Sequence, residues 1–257
     1  MIRRLACAVI VVAGLPSRIF AQQNPHAVQP ERPTVATHAG TVATGWFEIE
    51  TGGERDQLGG ETSWLTPTVL KLGIGSHAQL SVFGSSSAPA QTSVGIGDTG
   101  AGVKWRLLDD VPVLGDFAIL PSVKLPTGNA SQQQGTGTTD VGFLLISSHD
   151  LGPVAMDINA GYTRRSGNGT RAPKNATLWT ASCGGSAVGK LGWVAEMYGY
   201  PHTTGPVGQA SIVAVLAGPT YTARDWLAFD TGVIIPVTGP QPHAVYAGLV
   251  WNVGRVW

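Results

Sequence analysis

Val245-Tyr-Ala-Gly-Leu-Val-Trp-Asn-Val-Gly-Arg-Val-Trp257 is the last stretch of a 257-residue sequence. In an extended chain successive side chains point to opposite faces. One face here holds Val245, Ala247, Leu249, Trp251, Val253 and Trp257, and the other holds Tyr246, Gly248, Val250, Asn252 and Gly254. One row is large and apolar, while the other mixes small and polar groups. This is a half-buried strand. Arg255 interrupts the apolar row. At an interface between lipid and water a basic residue on the lipid face costs only about 0–1 kcal/mol.

The same period recurs upstream. Runs rich in β-branched and aromatic residues alternate with Gly, Pro, Asn and Asp. They predict twelve strands at 41–51, 64–73, 78–85, 98–107, 116–124, 139–147, 154–163, 175–186, 191–200, 209–221, 226–235 and 243–257. In the fourth, Ala101, Val103, Trp105 and Leu107 oppose Gly100, Gly102, Lys104 and Arg106. In the eleventh, Leu227, Phe229, Thr231, Val233 and Ile235 oppose Ala228, Asp230 and Gly232. No stretch reads as a long amphipathic helix.

Alternation alone fits a soluble sandwich as well as a membrane barrel. Composition, loop lengths and tryptophan positions favour the barrel. Charged residues make up only 12% of the chain, and 35 residues are glycine; a soluble domain carries about 25% charged residues. Short connections (74–77, 108–115, 148–153, 187–190, 222–225) alternate with long ones (52–63, 84–97, 126–138, 164–174, 201–208), and 236–242 is intermediate. Outer-membrane barrels pair short periplasmic turns with longer extracellular loops and have an even strand count. Trp105, Trp193, Trp226 and Trp257 fall near the ends expected to be periplasmic, as an aromatic girdle requires. Trp46 and Trp179 read as mid-strand. The expected fold is all-β: a transmembrane antiparallel up-and-down β-barrel of about twelve strands, residues 41–257.

Upstream, Arg3 and Arg4 precede an apolar run from Leu5 to Leu15, and Ile19-Phe20-Ala21 offers a small residue for cleavage. Residues 1–21 read as a signal peptide, too short in its apolar part to span a membrane. The chain balances 16 basic against 16 acidic residues. Loss of Arg3, Arg4 and Arg18 with no acid leaves it acidic by three, too weakly charged to argue for a nucleic-acid partner. Only Cys183 then remains, so no internal disulfide is expected. Residues 22–40, with Pro25, Pro30 and Pro33, read as an irregular segment that could fill the lumen or hang in the periplasm.

Charges expected on inner faces are Glu48, Glu50, Lys71, Asp98, Lys104, Arg106, Lys124, Asp140, Asp157, Glu196 and Asp230. They would be costly against lipid and tolerable in a wet lumen. They are read as lumen-lining candidates, either a pore lining that selects solutes or an ion-pair network filling the barrel. No catalytic, metal or cofactor site is expected: His149 and His202 lack a serine partner recognisable by spacing, and the other histidines lack ligand spacing. Gly95-Ile-Gly-Asp-Thr-Gly mimics a phosphate loop without the helix it needs.

A terminal aromatic on an alternating strand resembles the sorting signal of outer-membrane proteins. Glu31-Arg-Pro-Thr-Val, Gly45-Trp-Phe-Glu-Ile-Glu, Gly95-Ile-Gly-Asp-Thr-Gly-Ala-Gly-Val-Lys-Trp-Arg-Leu-Leu, Pro121-Ser-Val-Lys-Leu-Pro-Thr-Gly, Gly137-Thr-Thr-Asp-Val-Gly and Asn159-Ala-Gly-Tyr-Thr together resemble the MetA-pathway-of-phenol-degradation family of putative outer-membrane transporters. The resemblance implies a Gram-negative outer-membrane, porin-like transporter of small molecules, with aromatic ones as the candidate class, and carries over no ligand site. The expected partners are outer-membrane lipid, the barrel-assembly machinery acting on the C-terminal strand, and a small-molecule solute. A closed structural barrel with binding loops, or an outer-membrane lipid hydrolase, are the alternatives.

Overall fold

The computed structural model describes residues 24–169 and 171–257. The expected signal peptide lies outside these residues. The strands are β1 (Trp46–Leu58), β2 (Glu61–Gly75), β3 (Ala78–Ala88), the two-residue β4 (Gly95–Ile96), β5 (Thr99–Val111), β6 (Gly115–Leu125), β7 (Asp140–Asp150), β8 (Ala155–Arg165), β9 (Asn175–Val188), β10 (Leu191–Tyr200), β11 (Ile212–Arg224), β12 (Leu227–Thr238) and β13 (His243–Arg255). Apart from β4, which pairs with the tip of β3, each long strand lies antiparallel beside its neighbours in sequence. Trp46–Gln57 of β1 pairs with His243–Arg255 of β13, which closes the sheet into a twelve-stranded barrel with no free edge.

Burial is inverted relative to a soluble protein. The largest fully buried side chains include Lys71, Lys104, Gln79, Glu48, Glu50, Asn159 and Asn252, while Trp105 is 57% exposed and Ile235 50% exposed. Charges inside and apolar residues outside make the outer wall a lipid-facing belt. The alternation fixes this at every strand. Lys104 is buried between exposed Val103 and Trp105, and Asp230 is buried beside exposed Phe229.

The β1–β2 connection differs from the expected long loop at 52–63. Both strands continue past the expected ends to a two-residue turn, Gly59-Gly60, with φ of +58° and +89°. Two positive-φ positions in a two-residue hairpin suit glycine. Glu54-Arg-Asp-Gln57 looks like loop sequence because both faces are polar; here the inner face meets the lumen. Arg55 points outward, its guanidinium 6.0 Å from the ring of exposed Trp64. This pair lies at the end of the barrel opposite Trp257. The other long connections stay long, and five short turns lie at the termini end. Trp46 is the first residue of β1, at that same end, and not mid-strand.

The first strand begins at Trp46, five residues later than expected. Residues 24–45 form no strand beyond an isolated bridge of Thr44 to Gly73.

The candidate functional site: a lumen occupied by the N-terminal segment

Residues 24–45 lie inside the barrel. Ala36, Ala39 and Val42 are as buried as any core residue. An irregular chain buried away from water must still satisfy its backbone N–H groups. Here inner-facing side chains do so. The amide of Gln29 donates to Glu48 Oε2 and that of Glu31 to Glu50 Oε1, both at 2.8 Å. The amides of Val35 and Ala36 donate to the two oxygens of Glu196 at 2.8 and 2.7 Å. Thr37 N donates to Asn159 Oδ1 while Asn159 Nδ2 donates back to Thr37 O. Ala39 N donates to Ser148 Oγ, and Val42 N to Gln79 Oε1. Charge-assisted bonds of this kind are the stronger class. They explain why acids outnumber lysines on the inner wall.

The segment enters at the termini end beside Asp225 and Trp226, where Val28 N donates to Asp225 O and His26 lies 4.7 Å from the Trp46 ring. It then passes the inner faces of β13, β1, β12, β10, β8, β7, β5 and β3 before joining β1. Ion pairs fix it on one side. Lys71 bridges Glu48 (2.6 Å) and Glu50 and donates to Gln29 O. Lys104 pairs with Glu31 and donates to His38 O. Arg32 reaches Asp230 at 3.3 Å. The guanidinium fits because Gly52 and Gly248 face each other across β1 and β13; a Cβ on either would come within 2.5 Å of it. Apolar packing completes the fit: Val35 packs against a buried cluster that includes Tyr198, Leu216, Ile234 and Tyr246, and Ala39 is buried in a cluster with Ala118 and Ile146.

The eleven candidate residues fall into three groups. Glu48, Glu50, Lys71, Lys104, Glu196 and Asp230 hold the segment, and Asp157 supports it through Ser148 Oγ at 2.6 Å. Asp98, Lys124 and Asp140 form a second cluster toward the far mouth. There Lys124 pairs with Asp98 and Asp140, Asp140 meets Arg165 at 3.3 Å, and Asp98 accepts from the amides of Thr136 and Gly128. Burial pushes the Asp98 carboxyl up, but these hydrogen bonds prevail and hold it below its usual value. Arg106 stands apart, paired with Asp109 at 2.8 Å beside a short turn.

The neutral anchors Gln79, Asn159, Ser148 and Asn252 escaped a reading based on charge. An amide side chain on the inner face of an otherwise apolar strand was the available signal. Glu54, Asp56 and Arg165 were missed because their strands run longer than expected.

His149 does have a serine neighbour: its Nε2 lies 2.9 Å from Ser147 Oγ on the outward face of β7. The Ser147 hydroxyl donates to Leu114 O at 2.7 Å, and no carboxylate hydrogen-bonds His149 among the described residues. A nucleophile needs its proton directed to a base that a third group orients. The pair braces a turn instead. No group of metal-ligating side chains occurs among the described residues.

Two cavities lie at opposite ends of the β9–β11 wall, the larger touching the segment at Asn24 and His26. One, of about 690 Å³, opens at the termini end between Gly184, Ser186, Gly192, Thr220 and Asn24. The other, of about 200 Å³, lies at the far mouth between Arg165, Thr177, Tyr200 and Gln241.

A closed twelve-stranded barrel with an apolar exterior and a charged interior defines a porin-like transmembrane β-barrel of the outer-membrane type. The solved structures agree on the fold. The COG4313 outer membrane channel from Pseudomonas putida F1 superposes with a TM-score of 0.62 at 10% identity, over 85% of this chain and 99% of that one. The NanC porin gives 0.57 at 12% identity, over 79% and 98%. The KdgM porin gives 0.55 at 10% identity, over the same shares. No protein-family model matches the chain, and no curated protein matches it in sequence.

Proposed function

We propose that this protein is a passive outer-membrane channel for small molecules, narrowed by its own N-terminal segment. The observation that carries the reading is a pair of cavities at the two mouths of the wall formed by β9 to β11, which the segment crosses between them at Val35 and Ala36. A polar, charged inner wall suits a path that admits water and biases solutes. On this reading outer-membrane lipid surrounds the belt, and the assembly machinery engages the C-terminal strand. The resemblance to the phenol-degradation family extends the reading to small aromatic solutes.

Liposome swelling with the purified protein tests it. The expected result is entry of small sugars, with faster entry of aromatic acids if the finer reading holds. Equal rates for both would remove the aromatic preference and leave the channel. No swelling and no current in planar bilayers would favour a closed structural barrel. That second reading is supported by the complete burial of Ala36, Ala39 and Val42 within the lumen.

A further inference from the structure

We infer that solutes cross the barrel along the inner wall of β9 to β11, past Glu196, and not along the wall of β1 to β3. The inference rests on the channel reading.

The two walls differ in what fills them. On the β1–β3 side Lys71, Glu48, Glu50 and Gln79 are sealed beneath the segment. The gap left by Gly52 and Gly248 is filled by Arg32. A solute there would have to break a buried ion-pair network, which leaves charges unpaired at high cost.

Toward the turns that join β9 to β10 and β11 to β12, the β9–β11 wall is built of small residues, with Lys190, Arg224 and Asp225 at its rim. Gly184, Ser186, Gly192 and Thr220 leave the larger cavity open beside them. The inner-facing positions of β10 run Gly192, Val194, Glu196, Tyr198, Tyr200. The larger cavity reaches Gly192, the smaller one reaches Tyr200, and Glu196 stands midway. What separates the cavities at Glu196 is its pair of hydrogen bonds to the Val35 and Ala36 amides, together with the buried apolar cluster of Tyr198, Ala214, Leu216 and Tyr246 against which Val35 and Val194 pack. Opposite Tyr198 on β9, the Thr180 hydroxyl is buried without a hydrogen-bond partner among the described residues. The barrier on this wall is two hydrogen bonds and a buried apolar cluster, with no ion pair to Glu196 among the described residues.

Post-folding blockade tests the route. In a Cys183→Ser background, Ser186→Cys places a thiol on the β9–β11 wall, and Thr220→Cys is a second reporter there. Ser81→Cys places one on the inner face of β3, beneath the segment. The full-length proteins are put into planar bilayers and treated with a charged, water-soluble methanethiosulfonate reagent. The expected result is that current through the Ser186→Cys or Thr220→Cys protein falls by roughly half or more, since added bulk and charge in a narrow lumen obstruct ions. Current through the Ser81→Cys protein is expected to stay unchanged. Block at Ser81→Cys equal to or greater than that at both reporters overturns the route and leaves the channel. Absence of current from the unmodified protein overturns both.

Discussion

Lys71 shows what a single residue does in this lumen. It is fully buried, and its ammonium is shared between Glu48 and Glu50, whose carboxylates in turn accept from the Gln29 and Glu31 amides. Its position on an inner face was legible, because Leu70 and Leu72 flank it. Its role was not, because the groups it organises lie on another strand and in a segment with no periodicity. Removing one partner of a buried ion cluster costs about 3–5 kcal/mol, while replacing the whole cluster costs far less. Lys71→Met is therefore expected to lower thermal stability in detergent sharply, followed by the heat-modifiable shift of the folded barrel on gels. Adding Glu48→Gln and Glu50→Gln should restore much of the loss. A Lys71→Met protein as stable as the parent would rule out this account of the cluster. Asp98 makes a pH-dependent counterpart. Its carboxyl is held below the usual value by Lys124 and two amides, so its contribution is present above the unfolded pKa of about 3.9 and fades only as pH falls through the lower folded one. Asp98→Asn should weaken protection of the 126–139 loop from proteolysis at pH 7, and the difference from the parent should shrink under strong acid.

Among the elements, the strands were readable and the segment was not. A strand shows its faces through a period of two. The segment at 24–45 makes its bonds to residues 19 to more than 200 positions away, from Glu48 to Asn252. Nothing local in its prolines shows whether it enters a lumen. The misread 52–63 connection has a related cause. Glu54 and Asp56 face a wet interior and Arg55 the membrane boundary, so a strand leaving the bilayer carries the composition of a loop. Where local conformation alone decides, at Gly59-Gly60, the sequence was explicit in hindsight. The element-scale prediction concerns how the segment is fastened. Glu196 accepts two of its amides, so Glu196→Ala should free residues 35–36, raise bilayer current severalfold, and expose the bond after Glu31 to a glutamate-specific protease. Glu196→Gln, which keeps one acceptor oxygen, should fall between. If Glu196→Ala leaves both current and cleavage at parental values, the segment is held without it.

For the whole molecule, the controlling fact is that polar and charged groups lie inside and apolar ones outside. The stretch from Val245 to Trp257 spans this arrangement. Val245 pairs with Arg55, which with Trp64 marks one boundary, and Arg255 pairs with Trp46 near the other. Leu249 falls between them, and ten residues of a tilted strand suffice to cross the apolar layer. Depth therefore decides what a charge costs on the outer face. Leu249→Arg should destabilise the barrel by about 2–4 kcal/mol, and Val253→Arg by about 0–1 kcal/mol, because a basic side chain near the interface can reach the headgroups. Arg255 already uses that tolerance. Two contrasts make the prediction specific. Asn252, on the inner face between them, should accept Asp without a depth-dependent lipid cost, at the expense of its bonds to Pro25 and Ala27. Leu249→Phe should be near neutral. Refolding titrations into lipid bilayers measure all four. Equal costs for Leu249→Arg and Val253→Arg would mean that the outer face is not a lipid belt, and the inside-out assignment of the barrel would fall with it.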